Sequence, residues 1–431
     1  MTLELSGGHV LRPDLSVERA DVLVDADVGE VLEVGDLAGT GDERLDCSGS
    51  LVMPGLVNAH THAAMTLLRG YADDKPLEAW LREDVWPVEG ALEPADVRAG
   101  TELGVVEMLR SGVTAFADMY FHVPEVVDVI ERAGLRARVG HGVVTVAKET
   151  GTAHDDAAES IEIAREYDGA AGGRVRTAFM PHSLTTVGES FLEEYVPEAR
   201  ELGVPVHTHA NETREEVEPI VEEHGQRPLA YARERGLLSR EDFLAHGVHL
   251  DDSEIELLAE TGTGIVHCPA SNMKLASGMA PVQRLLDAGV PVGLGTDGAA
   301  SNNDLDVFDE MRDAAMLGKL ATGDASAVAA PDVLRMATEW GAEVVGLPAG
   351  RIESGGTADL AVVDFEAPHL TPVHDHVSHL VYAARGSDVR HTLCDGRVLV
   401  RDGEVTTLDG ARVRREADER AAAAVERATG E

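Results

Sequence analysis

The sequence predicts an α/β protein, a (β/α)8 TIM barrel with a small β-sandwich domain built from both chain ends. Three observations lead to this prediction. The middle of the 431-residue chain alternates short apolar runs with amphipathic, helix-like stretches eight times. Polar residues gather at the C-terminal end of each run, where such a barrel carries its active site. Both ends of the chain consist of short strand-like segments separated by turn residues.

The small domain is predicted from residues 1–53 and 351–431. The first part contains the strand-like stretches GGHVLRP, ADVLVDADVGEVLEVG and ERLDCSGSLVMPG. The second part contains TADLAVVDF and VRHTLCDGRVLVRDGEV, with a hairpin turn at Asp395-Gly396. The last residues, READERAAAAVERATGE, are interpreted as a charged surface helix or a frayed tail.

Residues 54–350 are predicted to form the catalytic barrel. Pro54 and Gly55 mark the crossing from the small domain into its first strand. Helix-like segments such as PADVRAGTELGVVEMLRSG and ESFLEEYVPEARELG follow the apolar runs. The eight runs are SLVMPGLVNAHTH, GVTAFADMY, LRARVGHGVV, VRTAFMPHS, VPVHTHANE, FLAHGVHL, GTGIVHCPAS and VPVGLGTDGAAS.

The composition narrows the class of function. The 36 Lys and Arg residues against 78 Asp and Glu residues give a net charge of −42, which argues against binding to nucleic acid or anionic membrane. The acids are spread along the whole chain, which favours adaptation to a salt-rich cytoplasm over a cation-binding role. We find no membrane-length apolar stretch, no signal peptide and no phosphate-binding loop. Cys47, Cys268 and Cys394 lie too far apart for a metal knuckle or a disulfide framework. We therefore expect a cytoplasmic protein.

The first apolar run ends in two histidines, His60 and His62. Residues i and i+2 of a strand point to the same face, which in a barrel strand is the interior. Two imidazoles there are costly unless each is hydrogen-bonded or bound to a metal ion. The pattern by itself leaves both possibilities open.

Other strand ends carry more potential ligands. The fifth run ends with His207 and His209, the sixth with His246 and His249, and the eighth with Asp297 after a glycine turn. Imidazole nitrogens and one carboxylate oxygen suit a divalent ion, zinc above all, although iron, manganese or nickel would also bind.

These motifs resemble the amidohydrolase superfamily across nearly the whole chain. The resemblance is carried by PGLVNAHTH, HTHANE, AHGVH and GTDGAASNN. It implies one metal ion, held by His60, His62, His209 and Asp297, with His246 beside the water that the ion activates. Binuclear members have a carboxylated lysine at the end of the fourth strand, where this chain has His182.

Further stretches are similar to the methylthioadenosine/S-adenosylhomocysteine deaminases within that superfamily. They are LLRGYADDKPLEAWLREDVWPVEG, MLRSGVTAFADMYF, HCPASNMKLASGMAPVQ and TDGAASNNDLDVFDEMR. The similarity implies that Glu89 and His182 bind substrate and that Glu212 is the acid/base glutamate. His141 stands where the family usually has an arginine that helps to bind substrate. Recognition of the distal part of the substrate is therefore left open.

The implied reaction is hydrolytic deamination of 5′-modified adenosines. Asp297 would take a proton from the activated water, His246 would orient that water, and Glu212 would protonate the ring nitrogen next to C6. The residues implied to contact the nucleoside are Glu89, His141, His182, Glu212 and Asp297. We expect a small-molecule nucleoside as partner and a homo-oligomeric assembly.

Other interpretations stay open at this point. The same elements occur in guanine or cytosine deaminases and in triazine amino- or chlorohydrolases, and some barrel relatives are non-catalytic scaffolds. Glu212 could instead be a helix-start residue. Residues with a mainly structural interpretation are His207, expected to pack against a helix, and His249. Residues that either line the pocket or simply pack are Trp86, His267, Cys268 and Met279.

Overall fold

The computed structural model describes residues 1–146 and 148–430. Its strands are β1 (Thr2–Ser6), β2 (His9–Leu11), β3 (Val17–Arg19), β4 (Asp21–Asp25), β5 (Glu30–Gly35), β6 (Glu43–Asp46), β7 (Ser50–Pro54), β8 (Leu56–Thr61), β9 (Val113–Tyr120), β10 (Arg136–Val143), β11 (Val175–Thr177), β12 (Met180–Pro181), β13 (His207–Ala210), β14 (Phe243–His246), β15 (Gly264–His267), β16 (Val292–Leu294), β17 (Leu360–Asp364), β18 (Val389–Cys394), β19 (Arg397–Arg401) and β20 (Glu404–Val405).

The helices separate these strands over most of the chain. They are α1 (Leu77–Trp80), α2 (Trp86–Glu89), α3 (Pro94–Arg110), α4 (Val123–Ala133), α5 (Thr150–Tyr167), α6 (Glu189–Leu202), α7 (Arg214–His224), α8 (Pro228–Glu234), α9 (Asp252–Thr261), α10 (Pro269–Lys274), α11 (Val282–Asp287), α12 (Val307–Thr322), α13 (Ala330–Met336), α14 (Glu339–Val345), α15 (His376–Tyr382) and α16 (Gly410–Thr429). Short 3-10 turns occupy Ala63–Leu68, Ala171–Gly173, Pro368–Leu370 and Gly386–Asp388, and a π-helical turn spans Leu81–Val85.

The strands of the central segment form two parallel sheets. One has the order β11-β10-β9-β8, with β12 also paired to β10, and the other has the order β13-β14-β15-β16. A parallel bridge between Phe179 and Val206 joins the first sheet to the second. At the other side, the N–H of Asp297 donates to the carbonyl of His60 at 3.0 Å. Each predicted apolar run of the central segment contains one of these strands, and the fourth run contains both β11 and β12.

Burial explains the apolar character of these runs. Every residue of β9 and β10 is buried, because helices cover one face of a parallel sheet and the interior of the fold covers the other. Local capping residues determine where the helices between the strands begin and end. Asp251, for example, caps the start of α9 in a reciprocal pair with Glu254, and Gly262 ends the helix at a φ of +73°.

The two chain ends share one set of sheets. A seven-stranded sheet has the order β20-β19-β18-β17-β7-β2-β3, and a four-stranded sheet has the order β5-β4-β1-β6. β17 pairs antiparallel with β7, so Val362 of the C-terminal part lies opposite Val52 of the N-terminal part. Apolar side chains of both sheets, among them Val22 and Leu393, belong to one core. The chain therefore needs both ends to complete this region.

Gly55 is the link between the two regions. β7 ends at Pro54 and β8 begins at Leu56. A Cβ atom on Gly55 would lie 2.2 Å from the hydroxyl oxygen of Thr114. A side chain would not fit here, so the direct passage from one region into the next depends on glycine.

The C-terminal helices pack on the central segment. α15 contacts α12 and α13, and α16 contacts α3. A guanidinium nitrogen of Arg412 lies 2.7 Å from a carboxylate oxygen of the buried Glu102, and Arg427 pairs with the buried Asp96. Of the two interpretations of the last residues, the charged helix is therefore the one found over Gly410–Thr429. Among residues 1–146 and 148–430, none of the helices combines the length and apolar character that crossing a membrane requires.

Candidate metal centre and active site

Four predicted ligands meet at the C-terminal ends of three strands. His60 lies in β8 and His62 directly follows it, His209 lies in β13, and Asp297 follows β16. All four side chains are buried, and their ligand atoms lie within 4.8 Å of one another. The Nε2 atom of His62 is 3.2 Å from Oδ1 of Asp297 and 3.3 Å from Nε2 of His209. A tetrahedral zinc ion with bonds of about 2.1 Å holds its ligand atoms about 3.4 Å apart, so the donor spacing fits such an ion.

The second ring nitrogen of each histidine is already engaged. The Nδ1–H of His62 donates to the carbonyl of Met119, and that of His209 donates to the carbonyl of His182, both at 2.6 Å. The Nε2 atom of His60 is buried and has no hydrogen-bond partner among the described residues. This arrangement directs the three Nε2 atoms to one point, as metal-bound histidines require.

Burial also prepares the histidines for a metal ion. It lowers the pKa of His60 to about 4 and that of His209 well below its ordinary value, so both are neutral at pH 7. Burial acts in the same direction on His62, but the hydrogen bond to Asp297, the negative charge of Asp297 and the hydrogen bond to Met119 together outweigh it and raise its pKa to about 9. A bound cation would displace this proton, because both use the same lone pair.

His207 lies in the interior, and this corrects the expectation that it packs against a helix. The Nδ1–H of His60 donates to Nε2 of His207 at 2.8 Å. The Nδ1–H of His207 in turn donates to the carbonyl of Phe243 at 2.9 Å, and its ring stacks on the Phe243 ring at 4.1 Å. The physical reason is the two-residue period of a strand, which points His207 and His209 to the same face.

Asp297 is held by two serines that the sequence analysis did not single out. The hydroxyls of Ser271 and Ser301 donate to its Oδ2 atom at 2.6 and 2.7 Å, while Oδ1 faces His60 and His62. Burial alone would raise the pKa of Asp297, but the neighbouring imidazoles of His60 and His62 together outweigh it and hold the pKa well below its usual range. Asp297 is therefore a carboxylate at neutral pH. Its backbone has a φ of +58°, a conformation rare for residues other than glycine.

Glu212 and His246 face each other beside the ligand cluster. The Oε2 atom of Glu212 lies 3.7 Å from Nε2 of His246, and the hydroxyl of Ser277 donates to Oε1 of Glu212 at 3.2 Å. The Nδ1–H of His246 donates to the side-chain oxygen of Asn272 at 3.0 Å. Burial raises the pKa of Glu212, which favours the protonated acid that a proton donor needs.

The position of Glu212 separates it from the helix cap. Thr213 caps α7 by accepting a hydrogen bond from the N–H of Glu216. The N–H of Glu212 donates to the carboxylate of Glu216 at 2.8 Å, and the Glu212 side chain lines the cavity instead. The cap is Thr213, so this geometry favours a role for Glu212 in the cavity over a role at the start of the helix.

A cavity opens above the cluster, and Glu89 and His182 line it. Burial raises the pKa of Glu89 to about 7 and lowers that of His182 to about 3. The Oε1 atom of Glu89 and the hydroxyl of Tyr120 are buried and have no well-formed hydrogen bond among the described residues, and the two side chains interact with each other. A polar ligand that forms hydrogen bonds to such buried polar atoms gains binding free energy, because these atoms otherwise lack well-formed hydrogen bonds.

Some predicted residues lie elsewhere. The Nε2 atom of His141 is 3.0 Å from Asp156 of α5, and Gly142, not His141, is among the described lining residues. His249 donates to the carbonyl of Ser277, in keeping with a structural role. Four residues were predicted either to line the pocket or to pack in the core. Trp86 lines the cavity, whereas His267, Cys268 and Met279 are not among its described lining residues.

The family of the chain follows from comparison with known proteins. The model of the amidohydrolase family matches residues 51–399. This chain belongs to the amidohydrolase family. The predicted resemblance is thereby confirmed, and with it the α/β class of the fold.

Close relatives cover the whole length of this amidohydrolase. A 5-methylthioadenosine/S-adenosylhomocysteine deaminase of Natronomonas pharaonis is 64% identical over 100% of both chains. An enzyme of the same name from Halobacterium salinarum is 66% identical over 99% of each. Among solved structures, an adenosine deaminase from Xanthomonas campestris with bound zinc is 37% identical, covers 98% of each chain and has a TM-score of 0.92. The chain is thus similar to deaminases, some of them from salt-adapted organisms, over its full length.

Proposed function

We propose that this amidohydrolase is a metal-dependent deaminase that converts 5′-modified adenosines, such as 5′-methylthioadenosine and S-adenosylhomocysteine, into the inosine analogues and ammonia. One observation carries the proposal. A buried cluster of three histidines and Asp297 shares its cavity with a second carboxyl group, Glu212, whose pKa burial raises. This is the combination of proton acceptor and proton donor that hydrolysis of an amidine requires.

The residues fit zinc as the cofactor. His60, His62, His209 and Asp297 would hold the ion, and the unpartnered Nε2 atom of His60 is the strongest sign of a missing ligand bond. A bound ion lowers the pKa of water toward about 7. Iron, manganese or nickel would accept the same donors, so elemental analysis of purified protein is the direct test of zinc.

Three side chains have separate roles in the proposed reaction. Asp297 is ionised at neutral pH and can accept a proton, while Ser271 and Ser301 hold its carboxylate in place. His246, oriented by Asn272, can hydrogen-bond the attacking water. Glu212 can deliver a proton to the ring nitrogen, which prevents negative charge from building up on the purine.

The nucleoside as substrate class is supported by the wall around the cluster. Glu89 and Tyr120 offer two buried, neighbouring oxygen atoms without a well-formed hydrogen bond, which suit the paired hydroxyls of a ribose. His182 lines the same cavity. The names of the relatives agree with this class.

We also propose the finer architecture. Residues 54–350 would form one closed (β/α)8 barrel, since the strand order follows the chain and hydrogen bonds link the two parallel sheets at both junctions. Residues 1–53 and the strands of residues 351–431 would form the β-sandwich, since their two sheets share one core. The homo-oligomer stays a prediction, and light scattering in molar salt tests it.

Ammonia release from a substrate panel, with chloride release measured in addition for the triazine, tests the proposed reaction. The panel contains 5′-methylthioadenosine, S-adenosylhomocysteine, adenosine, guanine, cytosine and a chlorotriazine, assayed with zinc-loaded protein in molar KCl. We expect turnover of the adenosines and its loss in protein stripped by a chelator. Failure to deaminate every 5′-modified adenosine would refute the proposal, and turnover of only the bases or the triazine would identify the competing function.

A further inference from the structure

The cavity has two chemically different parts. Its floor consists of the histidines, the carboxyl groups and Ser301 of the site already described. The rest of the lining is apolar or aromatic, apart from the hydroxyl of Tyr120. These wall residues are Met65, Leu77, Trp80, Leu81, Trp86, Met119, Tyr120, Phe121, Gly142, Val144 and Leu275.

The described lining contains neither lysine nor arginine. The basic side chains close in sequence to the wall, among them Lys75 with Asp84, are already paired with carboxylates. The Nζ atom of Lys148 lies 2.9 Å from Asp156, and that of Lys274 lies 2.6 Å from Asp73. Arg82, next to Leu81, is mostly exposed and pairs with Glu78 at 3.4 Å.

The surroundings of the wall add negative charge. The segment 71–84, which carries three of the wall residues, contains five acidic residues and two basic ones. Asp156 lies directly behind the wall, since one of its carboxylate oxygens accepts the N–H of Val144 at 2.9 Å. The carboxylate of a bound ligand would therefore find no free cation at the wall, beside a segment in which acidic residues outnumber basic ones.

These features decide what a 5′ substituent encounters. An amino-acid tail carries a carboxylate and an ammonium group, and transferring charges from water to an apolar wall without partners is costly. A thioether or alkyl group carries no charge, so its transfer has no such desolvation cost, and burial of its apolar surface against aromatic rings favours binding. The wall therefore favours one class of adenosine over the other.

We infer that this chain selects adenosines with an uncharged, apolar 5′ substituent, such as methylthio, over those with an amino-acid tail. The inference rests on the proposed function and concerns the same cavity. It predicts that 5′-methylthioadenosine is a better substrate than S-adenosylhomocysteine, the two compounds in the name of the relatives.

A series of three nucleosides tests this ranking. Values of kcat/KM are measured for 5′-methylthioadenosine, 5′-butylthioadenosine and S-adenosylhomocysteine with zinc-loaded protein. The butyl compound matches the homocysteine tail in length but carries no charge. We expect the two uncharged compounds to agree within about fivefold and S-adenosylhomocysteine to be at least about thirtyfold lower, chiefly through KM. Equal values for the butyl compound and S-adenosylhomocysteine would overturn the inference, whereas deamination of none of the three would refute the proposed function itself.

Two substitutions place a cation on the wall. Val144→Arg and Leu81→Arg are compared with Val144→Gln and Leu81→Gln, which add a polar group without charge. All four are checked for zinc content and Tm. We expect at least one arginine variant to raise the ratio of kcat/KM for S-adenosylhomocysteine over the butyl compound about tenfold, with no such rise in its glutamine control. If neither folded, zinc-containing arginine variant changes the ratio, missing positive charge is not the cause of the selection, and the inference fails.

Discussion

The floor and the wall of the cavity are built in opposite ways. The floor stands on strand ends, where the ring nitrogens of His62 and His209 that face away from the cluster are bound to backbone carbonyls. Much of the wall comes from short helical pieces between Leu77 and Glu89, including a π-helical turn. Strands position reacting groups rigidly, whereas connecting segments can vary without disturbing the fold. The comparison indicates that the floor sets the reaction and the wall sets the substrate.

Removing a floor ligand is expected to have the largest effect. His209→Ala takes away one of four donors, so we expect loss of stoichiometric zinc and of measurable deamination. Zinc content by elemental analysis and ammonia release are measured on the same sample. The matched control is His369→Ala, a half-exposed histidine of the C-terminal part. Retention of full zinc and activity in His209→Ala would break the assignment of the floor.

Glu212→Gln should remove proton transfer and leave metal binding intact. Glutamine keeps the shape of the side chain but cannot deliver a proton, so we expect kcat to fall by roughly 10²–10⁴-fold at unchanged zinc content. The matched control is Glu215→Gln. Glu215 is an exposed glutamate in the first turn of α7, so this variant should behave as the parent enzyme. An active Glu212→Gln enzyme would transfer the acid/base role to another group.

His207 offers a finer test of how the floor is supported. His207→Leu removes the acceptor of the Nδ1–H of His60, and we expect zinc affinity to fall by about 10–100-fold. His207→Gln retains an acceptor oxygen and should recover part of the affinity. Competition with a chromogenic chelator measures both variants without reference to activity. Equal affinity in the parent and both variants would mean that His207 only fills space.

The smallest effect concerns Glu89, a carboxyl group of the floor. Burial raises its pKa to about 7 from an ordinary value of 4.5, so the folded chain holds a proton that the unfolded chain has already released. The folded state therefore loses stability as pH rises from about 4.5 to about 7. Glu89→Gln should flatten this part of the pH profile of Tm in metal-free protein. A profile identical to that of the parent would show that Glu89 is not protonated in the folded chain.

Much of the fold was visible in the sequence because parallel strands buried on both faces are continuous apolar runs. All eight central runs contain strands of the two parallel sheets. The end of the chain was ambiguous, because READERAAAAVERATGE has no large apolar face. Contacts between Arg412 and Glu102 and between Arg427 and Asp96 tie this helix to α3, and such distant partners leave no local pattern.

The site shows the same division. His60, His62, His209 and Asp297 could be picked out because each belongs to a local motif at a strand end. His207 was misplaced because the two-residue strand period was not applied to it. Ser271, Ser301 and Asn272 were missed because their hydroxyl and amide groups are ordinary in sequence and acquire meaning only from what they contact.

The sequence alone determined the family, the α/β class and the group of residues able to hold a metal ion, since these depend on periodicity and on short motifs. Only the tertiary structure decided how the ligands are supported and what the cavity wall is made of. His141 turned out to pair with Asp156 on the outside of β10, while the wall took its apolar character from segments far apart in the chain. The physical reason is that hydrogen-bond partners and cavity linings are assembled across strands and loops, where separation along the chain carries no information about distance.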